Sequence, residues 1–278
     1  MKEKFDTVSA KCSKSITRFY STSFSLGINF LDRKFHDPIY AIYGFVRLAD
    51  EIVDSFHEFD KADLLAKFKR DCFESLEEGI SLNPVLNAFQ KVVRSYDIDH
   101  ALINQFLYSM EMDLTEQTYS PETYDIYILG SAQVVGLMCL QVFTEGNREH
   151  YERLKAPAMQ LGAAFQKVNF LRDMNADYTV LQRVYFPGVE IGSFSNSDKR
   201  TIENNIEMEF IEALKGIRQL PPSSRKGVYL AYIYYRNLFR KIKKITADKV
   251  LEKRIRISNG HKFWLMVNSV IRYKLNSL

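Results

Sequence analysis

The stretch Tyr43-Gly44-Phe45-Val46-Arg47-Leu48-Ala49-Asp50-Glu51-Ile52-Val53-Asp54 sets two carboxylates four residues apart inside an apolar run. A second stretch, Gln166-Lys167-Val168-Asn169-Phe170-Leu171-Arg172-Asp173-Met174-Asn175-Ala176-Asp177, repeats the design. On a helix, residues three and four apart share a face, so Tyr43, Arg47, Asp50 and Asp54 form one stripe and Gln166, Asn169, Asp173 and Asp177 another. Taken alone, either stripe also reads as an ordinary solvated helix face. The neighbours argue otherwise: Ile39, Ile42, Phe45, Val46, Leu48, Ile52 and Val53 make the first helix apolar around most of its circumference, and buried carboxylates demand partners. Two such pairs facing each other gather four negative charges around one space, which is costly unless cations fill it. Hard divalent cations with oxygen ligands fit that need, Mg²⁺ first and Mn²⁺ as a substitute. They commonly bridge protein carboxylates to phosphates.

The chain has 278 residues, 46% of them hydrophobic and 26% charged, a composition suited to a folded domain. A net charge of +4 argues against a dedicated nucleic-acid binder, which would concentrate a basic face. Cys12, Cys72 and Cys139 are scattered without paired metal spacing and read as free thiols in a reducing, cytoplasmic setting. The opening Met1-Lys2-Glu3-Lys4-Phe5-Asp6 has no apolar signal core. Residues 126–144 are uncharged and approach the length of a membrane span, about 20 residues. Gly130, Ser131, Gln133, Gly136 and Gln141 interrupt that stretch, which reads as a buried helix at the centre of a bundle.

Helix starts are marked at Asp37-Pro38, Asn83-Pro84 and Ser120-Pro121, where a capping side chain precedes a proline suited to the first turn. Asp60 and Ser197 are further cap candidates. Apolar recurrence at three and four residues then predicts helices near 4–19, 22–33, 38–57, 61–78, 84–95, 99–117, 121–144, 148–178, 198–218, 224–245 and 259–275. The one extended candidate is Arg183-Val184-Tyr185-Phe186-Pro187. With no linker or short-period repeat, residues 1–278 read as one all-α domain.

Ser21-Thr22-Ser23-Phe24, Tyr43 to Asp54, Met112-Asp113-Leu114, Tyr127 to Gly136 and Phe165 to Pro187 together resemble the squalene/phytoene synthase family, the head-to-head prenyltransferases. The resemblance implies an isoprenoid-synthase helical bundle around a central cavity, two prenyl diphosphate substrates, and Mg²⁺ held by Asp50, Asp54, Asp173 and Asp177. It further implies that Ser21 and Ser23 sit at the diphosphate, although by themselves they read as turn or cap residues. Tyr43, Gln166 and Asn169 would line the polar end, and Arg47 and Arg172 would hydrogen-bond phosphate oxygens. Arg183 resembles part of a family flap and would reach a diphosphate on closure; Gln182 stands before it where the family often has glycine. Arg254, in Lys253-Arg254-Ile255-Arg256, resembles a phosphate-contacting region, with a solvated basic turn as the alternative.

Ionisation of an allylic diphosphate leaves a cation that must be kept from water. Phe24, Tyr43, Phe165 and Tyr235 are candidate walls, against core packing as the plainer reading. Gly130 and Gly136 either leave room for a long prenyl chain or let helices pack closely. Ile28 stands where an aromatic would block a pocket end. The resemblance favours condensation of two geranylgeranyl diphosphates, through prephytoene diphosphate, to phytoene. Squalene or dehydrosqualene formation from farnesyl diphosphate is the alternative, and a catalytically silent interaction protein is a third reading. No dinucleotide fingerprint is present. A C40 product must pass to lipid, so peripheral contact at the inner membrane face is expected. The segment with Phe263, Trp264 and Arg272 either lies there or packs into the bundle. Oligomeric state is not readable from the sequence.

Overall fold

α1 runs over Lys2–Tyr20, and α2, Thr22–Asn29, follows after one extended residue. The computed structural model describes residues 1–116, 118–252 and 254–255. Next come α3 (His36–Ser55), α4 (Lys61–Glu78), α5 (Pro84–Tyr96) and α6 (His100–Thr115). A composite element then joins α7 (Pro121–Ile128), a π-turn (Leu129–Gln133) and α8 (Val134–Thr144). The long α9 (Arg148–Leu181), α10 (Asn196–Gln219), α11 (Pro222–Lys243) and the short α12 (Ala247–Glu252) complete the described chain. Among the described residues there is no strand, only an isolated parallel bridge between Thr118 and Val184. The all-α expectation therefore holds, and the extended stretch 183–187 contributes one bridge.

Caps explain most boundaries. The side chains of Asp60, Asn83 and Ser120 accept from the amides of Asp63, Val85 and Thr123. Several expectations are corrected. Asp37 does not cap α3; it lies in the first turn, because a 3₁₀ turn at Arg33–Phe35 leads straight into His36. The cap of α10 is Ser195 rather than Ser197, in a reciprocal box with Asp198. The helix expected over 22–33 ends at Asn29, and α12 is an addition. The helix expected over 259–275, with Phe263, Trp264 and Arg272, lies outside the described residues.

The expected helix 121–144 is interrupted by the π-turn, and two glycines explain how it packs there. A Cβ on Gly130 would sit 2.5 Å from the Gln105 carbonyl oxygen of α6; one on Gly162 of α9 would sit 2.6 Å from the Ala132 carbonyl oxygen. The turn is clamped between two helix backbones. Length and apolarity alone would let Pro121–Thr144 cross a membrane, but the fold buries Tyr127, Val134, Leu137, Met138 and Phe143 inside the bundle.

The core divides in two. One cluster gathers Phe35, Tyr40, Phe45, Phe89, Phe106 and Met138 from the 3₁₀ turn, α3, α5, α6 and α8. The other gathers Phe170, Tyr185, Phe210, Tyr235 and Phe239 from α9, α10, α11 and the segment after α9. Between them lies a cavity of about 600 Å³. Each side is packed on its own core, so the space between stays open without collapse.

Helix propensity alone would favour Gly130→Ala by about 1 kcal/mol. The clash with two backbone-anchored neighbours should dominate, and Gly130→Ala should destabilise by about 1–3 kcal/mol, read as a lower denaturation midpoint at unchanged slope. A midpoint at or above the parent's would contradict the clamp.

Candidate active site

Asp50 and Asp54 reach the cavity from the C-terminal half of α3, and Asp173 and Asp177 from the C-terminal half of α9; all four carboxylates line it. None lies buried in protein or fully out in solvent. The two pairs sense each other across the gap. Burial, then Asp173, then Asp54 from the opposite helix push the Asp177 carboxyl up to about 8. Burial, then Asp54, push Asp50 up to about 7, against the pull of Arg47. A third acid, Asp113 of α6, is pushed up to about 6, chiefly by burial.

Arginines share out this charge. Arg47 bonds Asp50 at 2.5 Å and also Glu51, and its guanidinium stacks on Tyr20 at 4.2 Å. Arg172 bonds Asp173 at 2.5 Å, and Arg254 reaches the same carboxylate at 2.7 Å. Arg183 bonds Asp54 at 2.8 Å. Among the described residues Asp177 makes no ion pair.

Tyr43 sits beside Ser21, whose side chain also accepts from the Phe24 amide and so caps α2. Burial pushes the Tyr43 phenol up to about 12. Phe24 lies 5.4 Å from the Tyr43 ring and 6.4 Å from Tyr235, which Phe165 stacks at 3.9 Å. The four candidate wall aromatics thus form one patch. A polar ladder leads from it: Tyr235 donates to Asn169 at 3.2 Å, Asn169 to Gln166 at 3.4 Å, and Gln166 to Ser131 of the π-turn at 3.5 Å. π-Turns commonly mark such sites, since they re-aim side chains.

Away from the acids the cavity is apolar. Lining residues on α9 run from Leu154 to Asp177, a rise of about 35 Å at 1.5 Å per residue. Ile28, Leu31, Phe143, Leu161 and Leu220 wall the deep part. Gly136 lines it too, with a Cβ position 3.1 Å from the Ala158 carbonyl oxygen. Close packing accounts for Gly130, whereas at Gly136 packing and cavity space coincide.

Fourteen of the sixteen sequence-predicted site residues line this cavity: Asp50, Asp54, Asp173, Asp177, Tyr43, Arg47, Ser21, Phe24, Gln166, Asn169, Arg172, Tyr235, Arg254 and Gly136. Two do not. Ser23, in the first turn of α2, is half-buried and is not among the lining residues. Arg183 is buried at 6% exposure behind the lining, held by Asp54 and by the Asp113 carbonyl. The turn that sends it there is Gln182, which closes α9 at φ 55°. That left-handed backbone favours glycine; glutamine adopts it at about 1–2 kcal/mol.

The sequence reading missed the cluster around Asp113, which also lines the cavity. Tyr127, Tyr119 and Tyr185 donate to its carboxylate at 2.7, 3.1 and 3.3 Å. Tyr185 stacks on Phe170 at 4.0 Å. A usable signal existed: Asp113 continues the apolar stripe Phe106, Met110 at helical spacing, so an acid stands at a core position.

A diphosphate with divalent metal suits these groups. No three described His, Cys, Asp or Glu side chains gather closely enough to cage a metal. Mg²⁺ needs no such cage, since it is held by one or two carboxylates together with phosphate and water oxygens. Arg47 Nε is buried without a partner among the described residues, a donor left over for an anion.

A family model described as squalene/phytoene synthase matches residues 17–205. The phytoene synthase of Rhodobacter capsulatus is 26% identical over 95% of this chain and 82% of its own. Phytoene synthase 1 of Arabidopsis thaliana is also 26% identical, and the chain spans 60% of its length. The 4,4′-diapophytoene synthase of Staphylococcus haemolyticus is 25% identical over 93% of this chain and 95% of its own. A crystal structure of a dehydrosqualene synthase superposes with a TM-score of 0.81 over 98% of both chains at 23% identity, which supports the fold.

Asp50, Asp113 and Asp177 keep protons in the folded state that the unfolded chain releases above the ordinary carboxyl value of 3.8. Their contribution to stability therefore falls as pH rises from about 4 to about 8. Melting in EDTA should show Tm declining across that window, and the decline should shrink in Asp177→Asn. An unchanged pH slope in that variant would contradict the repulsion across the cavity.

Proposed function

Since this chain belongs to the squalene/phytoene synthase family, whose members are prenyltransferases, we propose that it condenses two prenyl diphosphates head to head. The finer reading is two geranylgeranyl diphosphates, joined through prephytoene diphosphate and converted to phytoene. The supporting observation is one cavity with an acidic, arginine-rich end and a long apolar remainder. That is the shape of a substrate with a multiply charged head and a hydrocarbon tail.

Mg²⁺, or Mn²⁺ in its stead, held by Asp50, Asp54, Asp173 and Asp177, would supply charge neutralisation to the departing diphosphate. The protein's own groups do the rest. Arg47 and Arg172 offer guanidinium donors to phosphate oxygens, and Arg254 adds positive charge at Asp173. Ser21 and the Tyr235–Asn169–Gln166 ladder hold the polar end in register. When the carbon–oxygen bond of the first substrate breaks, the allylic cation lies beside Phe24, Tyr43, Phe165 and Tyr235, whose faces stabilise positive charge and whose bulk excludes water. The second substrate's double bond attacks it and a proton is lost to give the cyclopropyl intermediate. Departure of the second diphosphate, rearrangement and a second proton loss complete the hydrocarbon.

The relative named 4,4′-diapophytoene synthase keeps a farnesyl-using reaction as the second reading. The apolar lining along α9 and the modest side chain of Ile28 favour the longer substrate. A hydrocarbon product leaves water for lipid, so work at the inner face of the cytoplasmic membrane belongs to this proposal. Purified protein incubated with Mg²⁺ and each prenyl diphosphate, with and without NADPH, should release diphosphate and form a C40 hydrocarbon without NADPH. No diphosphate release from any of them would leave a silent family member. Asp50→Asn and Asp173→Asn should each lower turnover by at least about 10²-fold with helix content unchanged by circular dichroism. Ile28→Phe should shift the ratio of kcat/KM toward farnesyl diphosphate; an unshifted ratio would deny Ile28 a place at the chain end.

A further inference from the structure

The same Arg183 nitrogen, Nη1, lies between two carboxylates, 2.8 Å from Asp54 Oδ1 and 3.6 Å from Asp113 Oδ1. The other terminal nitrogen, Nη2, is anchored to backbone: it donates to the Asp113 carbonyl at 2.8 Å and to the Val53 carbonyl at 3.5 Å. The guanidinium thus has a fixed end and a shared end, and a small rotation exchanges one carboxylate for the other.

Hydrogen bonds favour the anionic form of Asp113 there, against its burial. Its side chain is 3% exposed, and such a charge is costly unless hydrogen-bonded. Tyr127 satisfies Oδ2, and Tyr119 and Tyr185 satisfy Oδ1. These donors come from three separate chain segments, so the position of the carboxylate is fixed from several sides. Asp54 lines the same cavity but is 31% exposed, available to whatever enters.

A divalent cation arriving at Asp54 meets Arg183 already bound there. Two positive charges on one carboxylate repel strongly in a half-buried site. Arg183 cannot leave for solvent, since it is buried and tied to backbone. The only other described carboxylate in an ion pair with it is Asp113. We propose that Asp113 is a positioning residue for the first acidic motif: it shares Arg183 with Asp54 and takes it over when Asp54 binds a divalent cation. The inference rests on the reading of Asp54 as a metal ligand. It makes Arg183 an internal counter-ion exchanged during loading and not a direct phosphate contact.

Mn²⁺ binding to the full chain, followed by the electron paramagnetic resonance signal of free Mn²⁺ with no substrate, tests this independently of turnover. Asp113→Asn removes the receiving charge, so Arg183 competes harder for Asp54, and Mn²⁺ affinity should fall about tenfold, a usual coupling within one network. Arg183→Gln removes the competitor and should bind Mn²⁺ at least as tightly as the parent. In the Arg183→Gln background, Asp113→Asn should have little further effect. Equal affinity in Asp113→Asn and parent would overturn the proposal, as would an undiminished loss in the double variant, which would mean a general charge effect. Should Asp113→Asn not fold, Arg183→Gln decides alone, because weaker binding by that variant contradicts a competing guanidinium. A parent that takes up no Mn²⁺, alone or with inorganic pyrophosphate, would remove the metal site and this inference together; a parent that binds while the variants behave alike sinks only the inference.

Discussion

Repulsion among carboxylates crowded onto one enclosed space is the constraint around which this protein is arranged. Asp50, Asp54, Asp113, Asp173 and Asp177 line a single cavity, and three of the five are pushed well above the ordinary carboxyl range by burial and by one another. Such a cluster survives only if something offsets it. In the structure that role falls to Arg47, Arg172, Arg183 and Arg254, each of which pairs with an acid of the cluster. Partly buried ion pairs of this kind contribute little net stability, because desolvation and screening offset much of the Coulomb gain. What they provide is a charged space kept ready for a more highly charged guest.

The fold serves that space by splitting its core. Phe45, Phe89 and Phe106 consolidate one side, and Phe210, Phe239 and Leu238 the other, so neither α3 nor α9 must lean on its counterpart to be stable. The close backbone approach at Gly130 and Gly162 fixes the π-turn that carries Ser131 to Gln166. Packing of this rigidity matters for the chemistry assigned to the cavity, because a carbocation reacts with the nearest nucleophile, and mobile walls would admit water.

Much of the site was legible because its residues are local and periodic. Asp50 with Asp54, and Asp173 with Asp177, share a helical face by spacing alone, and their apolar surroundings announce burial. Caps at Asp60, Asn83 and Ser120 were equally readable, since each is a contact between residues two or three apart. What the local pattern leaves open has physical causes as well. Ser21 and Ser23 straddle the extended-to-helical junction at the start of α2, where spacing alone does not fix direction. Arg183 follows the left-handed turn at Gln182 and pairs with Asp54 and the Asp113 carbonyl, contacts that no local spacing announces. The π-turn is not legible locally, because the close approaches around it, Gly130 to the Gln105 carbonyl and Gly162 to the Ala132 carbonyl, join distant parts of the chain.

The sequence by itself determined the all-α class, the two acidic faces, and the pairing of charged heads with apolar flanks, since all follow from periodicities of three and four residues. Only the tertiary structure decided that the two faces meet across one cavity, that four aromatic residues from α2, α3, α9 and α11 form a single patch, and that Asp54 and Asp113 share Arg183. Those arrangements depend on contacts between different helices, such as Arg183 with Asp54 and Phe24 with Tyr235. No local pattern encodes such contacts, and they exist only once the helices have packed.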